Sequence, residues 1–124
     1  MNPFNSQGKK SLKPLETLFK ALGDKTRLQI LSFLAVRPLC NCELHELLGL
    51  APSTVSKHLS LLKAAGWVQD KRMGKWVLYR LSQDSASTYV QELGPLLHLW
   101  LGRESSKDVQ DRVQQINGKF QCDP

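Results

Sequence analysis

The chain has no apolar run near the ~20 residues that a membrane helix needs, because its hydrophobic stretches are broken every few residues. Its first residues, Met1 to Lys13, are polar and basic and hold no apolar core. That argues against a secretory signal and for a cytoplasmic protein with no membrane partner. Cysteine is scarce and odd in number: of the three, Cys40 and Cys42 lie one residue apart, too close for a relaxed mutual disulfide. A secreted disulfide framework is thereby excluded, and reduced thiols are expected. There is also no glycine-rich turn after a strand, no phosphate-cradling loop, no nucleophile elbow and no pair of catalytic carboxylates. A chain of 124 residues leaves no room for a cofactor domain, so an enzyme is not expected. Internal repeats and low-complexity tracts are absent too.

What is present is ordinary for a soluble protein, 41% hydrophobic and 23% charged, and supports one domain with one modest core. The net charge of +6 is unevenly spread. Between residues 53 and 80, Lys57, Lys63, Lys71, Arg72, Lys75 and Arg80 face Asp70 alone. Lys9, Lys10 and Lys13 add to the excess, whereas residues 16–52 balance and 81–124 are net acidic. Charge gathered in this way suits a phosphate-binding surface, the alternative being a solvated basic face.

Residues 1–13 read as a disordered N-terminal arm. Leu15, Leu18, Phe19 and Leu22 then recur at helical spacing, with Gly23 as the stop. Asp24 caps a second helix carrying Leu28, Ile30, Leu31 and Leu34, which ends before Pro38. Two further helices are predicted at about 41–48 and 53–65, and strands at about 67–72 and 75–81, joined at Met73-Gly74. Tyr89, Leu93, Leu96, Leu97, Trp100 and Leu101 form a wide apolar stripe, more than a small domain needs to cover itself. It reads as a dimer surface shared with the first helix, kinked or restarted at Gly94-Pro95. A last helix near 105–117 carries Val109, Val113 and Ile116. The domain plan is therefore an arm at 1–13, a DNA-binding and dimerisation domain at 14–104, and a C-terminal helix and tail at 105–124.

Helix, turn, helix, hairpin is the order of a winged helix-turn-helix, mainly α with a β-hairpin wing. The expected assembly is a homodimer through the N- and C-terminal helices. On the second helix of the unit, Val55, Leu59 and Leu62 share the core face, and Ser53, Ser56, Lys57 and Ser60 share the other. Small hydroxylated side chains let a helix sit deep in a major groove, while Lys57 reaches a guanine or a phosphate. The N–H groups near Ser53 and Thr54 are placed to bind phosphate. Lys71, Arg72 and Lys75 cluster at the hairpin tip, and His58 is either a phosphate contact or a half-buried structural residue. The expected partner is double-stranded operator DNA.

Three runs carry a family resemblance. Phe19-Lys20-Ala21-Leu22-Gly23-Asp24-Lys25-Thr26-Arg27-Leu28, Ser53-Thr54-Val55-Ser56-Lys57-His58-Leu59 with Leu62 and Gly66, and Gly74-Lys75-Trp76-Val77-Leu78-Tyr79-Arg80-Leu81 resemble, in order and spacing, the ArsR/SmtB family of bacterial metal-responsive repressors. The resemblance covers roughly half the chain. It implies a homodimeric repressor that leaves its operator when an inducer binds and needs no resident cofactor.

Leu39-Cys40-Asn41-Cys42-Glu43-Leu44 resembles the cysteine motif of the arsenic-sensing members and of some cadmium/lead-sensing ones. A helix N-terminus is expected to lower thiol pKa values, and soft thiolates select soft ions, with As(III) and Sb(III) favouring a pyramidal three-sulfur shell. Residues two apart on a helix point about 200° apart. Either Cys40 therefore sits outside the helix or ion binding distorts the first turn. The chain departs from the best-known arsenic pattern in having His45 where a further cysteine stands. Cys122 in the tail is the foremost third ligand, His45 the next, and two-thiol binding completed by solvent or a small thiol the third. His45 would suit a divalent thiophilic metal instead, and a thiol redox switch pairing Cys40 or Cys42 with Cys122 is the runner-up. Asp84, Glu92, His98 and Glu104 do not reproduce the family's C-terminal metal site.

Overall fold

In this computed structural model, residues 11–104 and 107–116 are described. Pro14 in the first turn and Glu16 beside it open α1 (Lys13–Leu22), where a missing N–H costs nothing and a negative charge meets the positive helix end. The Gly23 N–H closes it on the carbonyls of Phe19 and Lys20. Asp24 then starts α2 (Lys25–Val36), its Oδ2 accepting the Arg27 N–H at 3.0 Å. α2 buries Ile30, Leu31, Phe33 and Leu34 and is packed by helices on several sides, which makes it the centre of the core.

A two-residue strand, β1 (Leu39–Cys40), leads straight into α3 (Asn41–Leu48) and then α4 (Pro52–Ala64). The wing follows as β2 (Val68–Met73) and β3 (Trp76–Leu81), after which come α5 (Thr88–Glu104) and α6 (Lys107–Ile116). The sheet is antiparallel in the order β1-β3-β2. Met73 pairs with Trp76, so Gly74-Lys75 is a two-residue hairpin turn. Leu39, Leu44, Val55, Leu59, Leu62 and Val68 are fully buried together with Ile30, Leu31 and, from α6, Val113. Among the described residues no helix is long and apolar enough to cross a membrane.

The winged helix-turn-helix expected from the pattern is present, with element ends displaced by a residue or so. Three details differ. β1 has no counterpart in the sequence reading; its Leu39 and Cys40 pair with Tyr79 and Leu78. α5 runs through Pro95 rather than restarting there, although Pro95 removes one helical N–H. The apolar stripe is divided: Leu97 and Leu101 enter the core and Leu93 packs partly against it, while Tyr89, Leu96 and Trp100 stay exposed. The expected arm at 1–13 falls outside the described residues up to Lys10, as does the C-terminal tail from Asn117.

The joint between α4 and β2 depends on Gly66. Its φ is +90°, and a Cβ there would stand 3.3 Å from Val90 Cγ2 and 3.4 Å from Ser85 Oγ. The positive φ favours glycine, and the space beside Val90 is tight for anything larger. Gly66→Ala is expected to lower unfolding free energy in urea by about 1–3 kcal/mol; parent-like stability would show that α5 gives way freely at this point.

Candidate nucleic-acid interface and thiol site

α4 presents two chemically distinct faces. Val55, Leu59 and Leu62 are buried against the core, whereas Ser53, Thr54, Ser56, Lys57 and Ser60 are exposed along the opposite side. Lys71, Arg72 and Lys75 are exposed at the far end of the hairpin. The sequence-derived face is thus assembled on one helix and one wing, with small hydroxyls between cationic ends. Lys63 is different from its neighbours in charge use: its Nζ donates to Asp70 Oδ2 at 2.9 Å, which ties α4 to β2.

His58 is turned inward. Its Nδ1 lies 3.2 Å from Arg27 Nη1 and 4.0 Å from Asp24 Oδ2, so the ring is held at the α1–α2 junction. Of its two expected roles, this geometry matches the structural one. Arg27 was not singled out from the sequence, since a contact to a residue 31 positions away leaves no local periodicity.

The cysteine pair is brought together by the helix start. Cys40 is the N-cap of α3, with extended φ −85° and ψ 163°, while Cys42 lies in the first turn. Cys40 therefore sits outside the helical turn, and the 200° divergence of a regular helix does not apply. The two sulfurs are 2.8 Å apart, longer than the about 2.05 Å of a bonded pair. With metal–sulfur bonds of about 2.3 Å, a tetrahedral or pyramidal ion would hold its sulfurs about 3.5–3.8 Å apart. A small opening of the pair suffices.

Glu43 governs this corner. It is 4% exposed, and its Oε1 accepts the Cys40 N–H at 3.0 Å while Cys40 Sγ stands 3.3 Å away. Its Oε2 accepts from Arg37 Nη2 at 2.9 Å, and Arg37 Nη1 also donates to Pro38 O. Sequence reasoning gave Glu43 no role. The helix start alone predicts a lowered thiol pKa, but burial pushes the Cys42 thiol up and the Glu43 charge adds to it. The backbone N–H groups of Glu43 and Cys42 pull the other way and lose.

His45 lies further along α3, where its Nδ1 donates to the Leu50 carbonyl, leaving Nε2 as the ring nitrogen able to bind an ion. Among the described residues, no three His, Cys, Asp or Glu side chains converge in a metal-holding group, so His45 is not gathered with the cysteines. Cys122 lies outside the described residues. In the reduced protein, Glu43→Gln is expected to shift Cys42 alkylation, followed on its own peptide, to lower pH because it removes a like charge. Burial, the larger cause, should still hold the midpoint above that of an exposed cysteine. An unmoved midpoint would mean that the carboxylate does not act on the thiol.

Comparison with known proteins places this geometry. Residues 24–70 match the model described as bacterial regulatory protein, arsR family. The chain is similar to the arsenical resistance operon repressor of Escherichia coli, 44% identical over 109 residues that cover 85% of this chain and 82% of that one. Among solved structures it is similar to HlyU from Vibrio cholerae, with a TM-score of 0.59 and 34% identity over 75% of this chain and 97% of that one. It is also similar to a homodimeric winged helix-turn-helix DNA-binding domain from Mycobacterium bovis, with a TM-score of 0.62 and 26% identity over 84% and 95%. The chain belongs to the ArsR family of bacterial regulatory proteins: it is a DNA-binding transcriptional regulator and not an enzyme.

Proposed function

We propose that the protein is a homodimeric repressor that holds double-stranded operator DNA and releases it when Cys40 and Cys42 capture a thiophilic ion, foremost As(III) or Sb(III). The observation that carries this reading is the 2.8 Å approach of the two sulfurs at the start of α3, one helix before the reading helix α4. Soft sulfur donors favour soft ions. An ion that opens the pair strains the first turn of α3, which packs on α4, and so acts on the DNA-reading face through one interface. Release requires the ion to bind the free form more tightly than the DNA-bound form, a coupling of about 1–3 kcal/mol or more. Cys122 is the proposed third ligand, with His45 Nε2 the alternative that would favour a divalent ion.

The apolar face supports the dimer. Leu15 and Phe19 of α1 and Tyr89, Leu93 and Leu96 of α5 line one groove, which Leu99 and Trp100 extend as exposed apolar surface. A two-fold dimer would set its reading helices about 34–36 Å apart, one turn of DNA. Such a regulator acts in the cytoplasm, where the DNA is. A thiol redox switch of the same fold draws on the same observation, since sulfurs held 2.8 Å apart are also placed for thiol–disulfide exchange.

Fluorescence anisotropy on an inverted-repeat duplex from upstream of the gene tests the reading. Under reductant, arsenite or antimonite is expected to release the protein, and Cys42→Ser to bind within about two-fold of the parent yet fail to release. Retained induction in that variant would sink the thiol site. Release by Cd(II), Pb(II) or Zn(II) alone would move the third ligand to His45, and loss of binding under peroxide, restored by a dithiol, would favour the redox switch. Leu96→Asp with Trp100→Asp is expected to give monomers in sedimentation at micromolar concentration and to weaken DNA binding at least ten-fold, about 1.4 kcal/mol. A dimer that survives both charges would place the interface elsewhere.

A further inference from the structure

Carbonyls of the last two turns of α1 are met by side chains from other elements. Trp67 Nε1 donates to Leu18 O at 2.9 Å. Arg27 Nε donates to Ala21 O at 2.8 Å, and Arg27 Nη2 to Lys20 O at 3.0 Å. The remaining arm of the guanidinium, Nη1, lies 3.2 Å from His58 Nδ1 on α4. A guanidinium has no acceptor, so Nδ1 must accept and the ring proton sits on Nε2. Asp24 Oδ2, 4.0 Å from the same ring nitrogen, accepts the Arg27 N–H at 3.0 Å. All three guanidinium nitrogens thus face acceptors within the chain, an unusual state for an arginine near a basic DNA-facing surface. The helix so gripped also bears Leu15 and Phe19 of the apolar groove.

We propose that Arg27 is a positioning residue for operator recognition: through His58 it fixes the set of α4 against the end of α1, so that the helix carrying the dimer face determines the angle at which Ser53, Ser56, Lys57 and Ser60 meet the groove. This rests on the operator-binding reading above. Neither Arg27 nor His58 touches DNA in this arrangement; both act through the orientation of α4. The planar fork matters because its donors sit on three separate nitrogens, whereas an ammonium carries its three donors on one atom and cannot span the same separated acceptors.

The first test needs no DNA. In the ¹⁵N-labelled parent, the neutral His58 ring is expected to carry its proton on Nε2, and Arg27→Ala to shift the Nδ1 signal. A proton on Nδ1, or a signal indifferent to Arg27, overturns the lock whether or not an operator is in hand. The second test measures operator affinity against salt for variants that are folded dimers by circular dichroism and sedimentation. Arg27→Ala is expected to bind about ten-fold more weakly, as loss of hydrogen bonds to a charged group implies, with the salt slope unchanged. Arg27→Lys should recover little. His58→Phe should fall with Arg27→Ala, and His58→Asn, whose Oδ1 can stand in for Nδ1, should recover most of that loss. A slope reduced by about 0.9 per subunit would make the residue a phosphate contact instead, and parent-like affinity in Arg27→Ala would remove its role. If Arg27→Ala does not fold, the His58 pair makes the same comparison.

Discussion

The last carbonyls of a helix have no partner further along its own axis and must find donors elsewhere. At the end of α1 the Gly23 N–H serves Phe19 and Lys20, Arg27 serves Lys20 and Ala21, and one turn earlier Trp67 adds a second donor to Leu18 O. Trp67 sits at the joint between α4 and β2, and Arg27 in the first turn of α2. The capping of one helix therefore fixes the mutual placement of four elements. Because buried carbonyls are costly to leave unmet, this arrangement resists sliding more strongly than apolar contacts alone would. The aliphatic core around α2 supplies cohesion, and these few hydrogen bonds supply the angle.

A second corner is built from charge in an unfavourable place. A carboxylate at the start of a helix is helped by backbone N–H groups, and the buried Glu43 accepts from the Cys40 N–H and from Arg37. The same charge opposes a thiolate one residue away. An approaching cation changes that balance, since a positive ion beside Cys42 is attracted by both the thiolate and the carboxylate.

Much of this is legible from the sequence, for reasons that differ by element. α4 announces itself through Val55, Leu59 and Leu62 at helical spacing and through serines that a buried helix would not carry. The wing is marked by clustered bases around Gly74, and the cysteine pair by its rarity. β1 is not legible, because two residues have no period and its pairing with β3 lies some forty positions away. Arg27 and Glu43 escape for a related reason: their importance lies in what the fold brings to them. The direction of the thiol pKa comes out wrong from the sequence because the helix end is weighed there without the burial and the neighbouring carboxylate that outweigh it.

The pairing of Cys40 with Leu78 gives one residue membership of two elements. Its backbone is hydrogen-bonded territory of the sheet that carries the wing, and it is also the cap from which α3, and behind it α4, departs. The sheet that carries the wing and the helix pair thus share a single residue. A displacement of Cys40 is therefore passed to the wing and to the helix pair together, and neither can shift at this residue without the other.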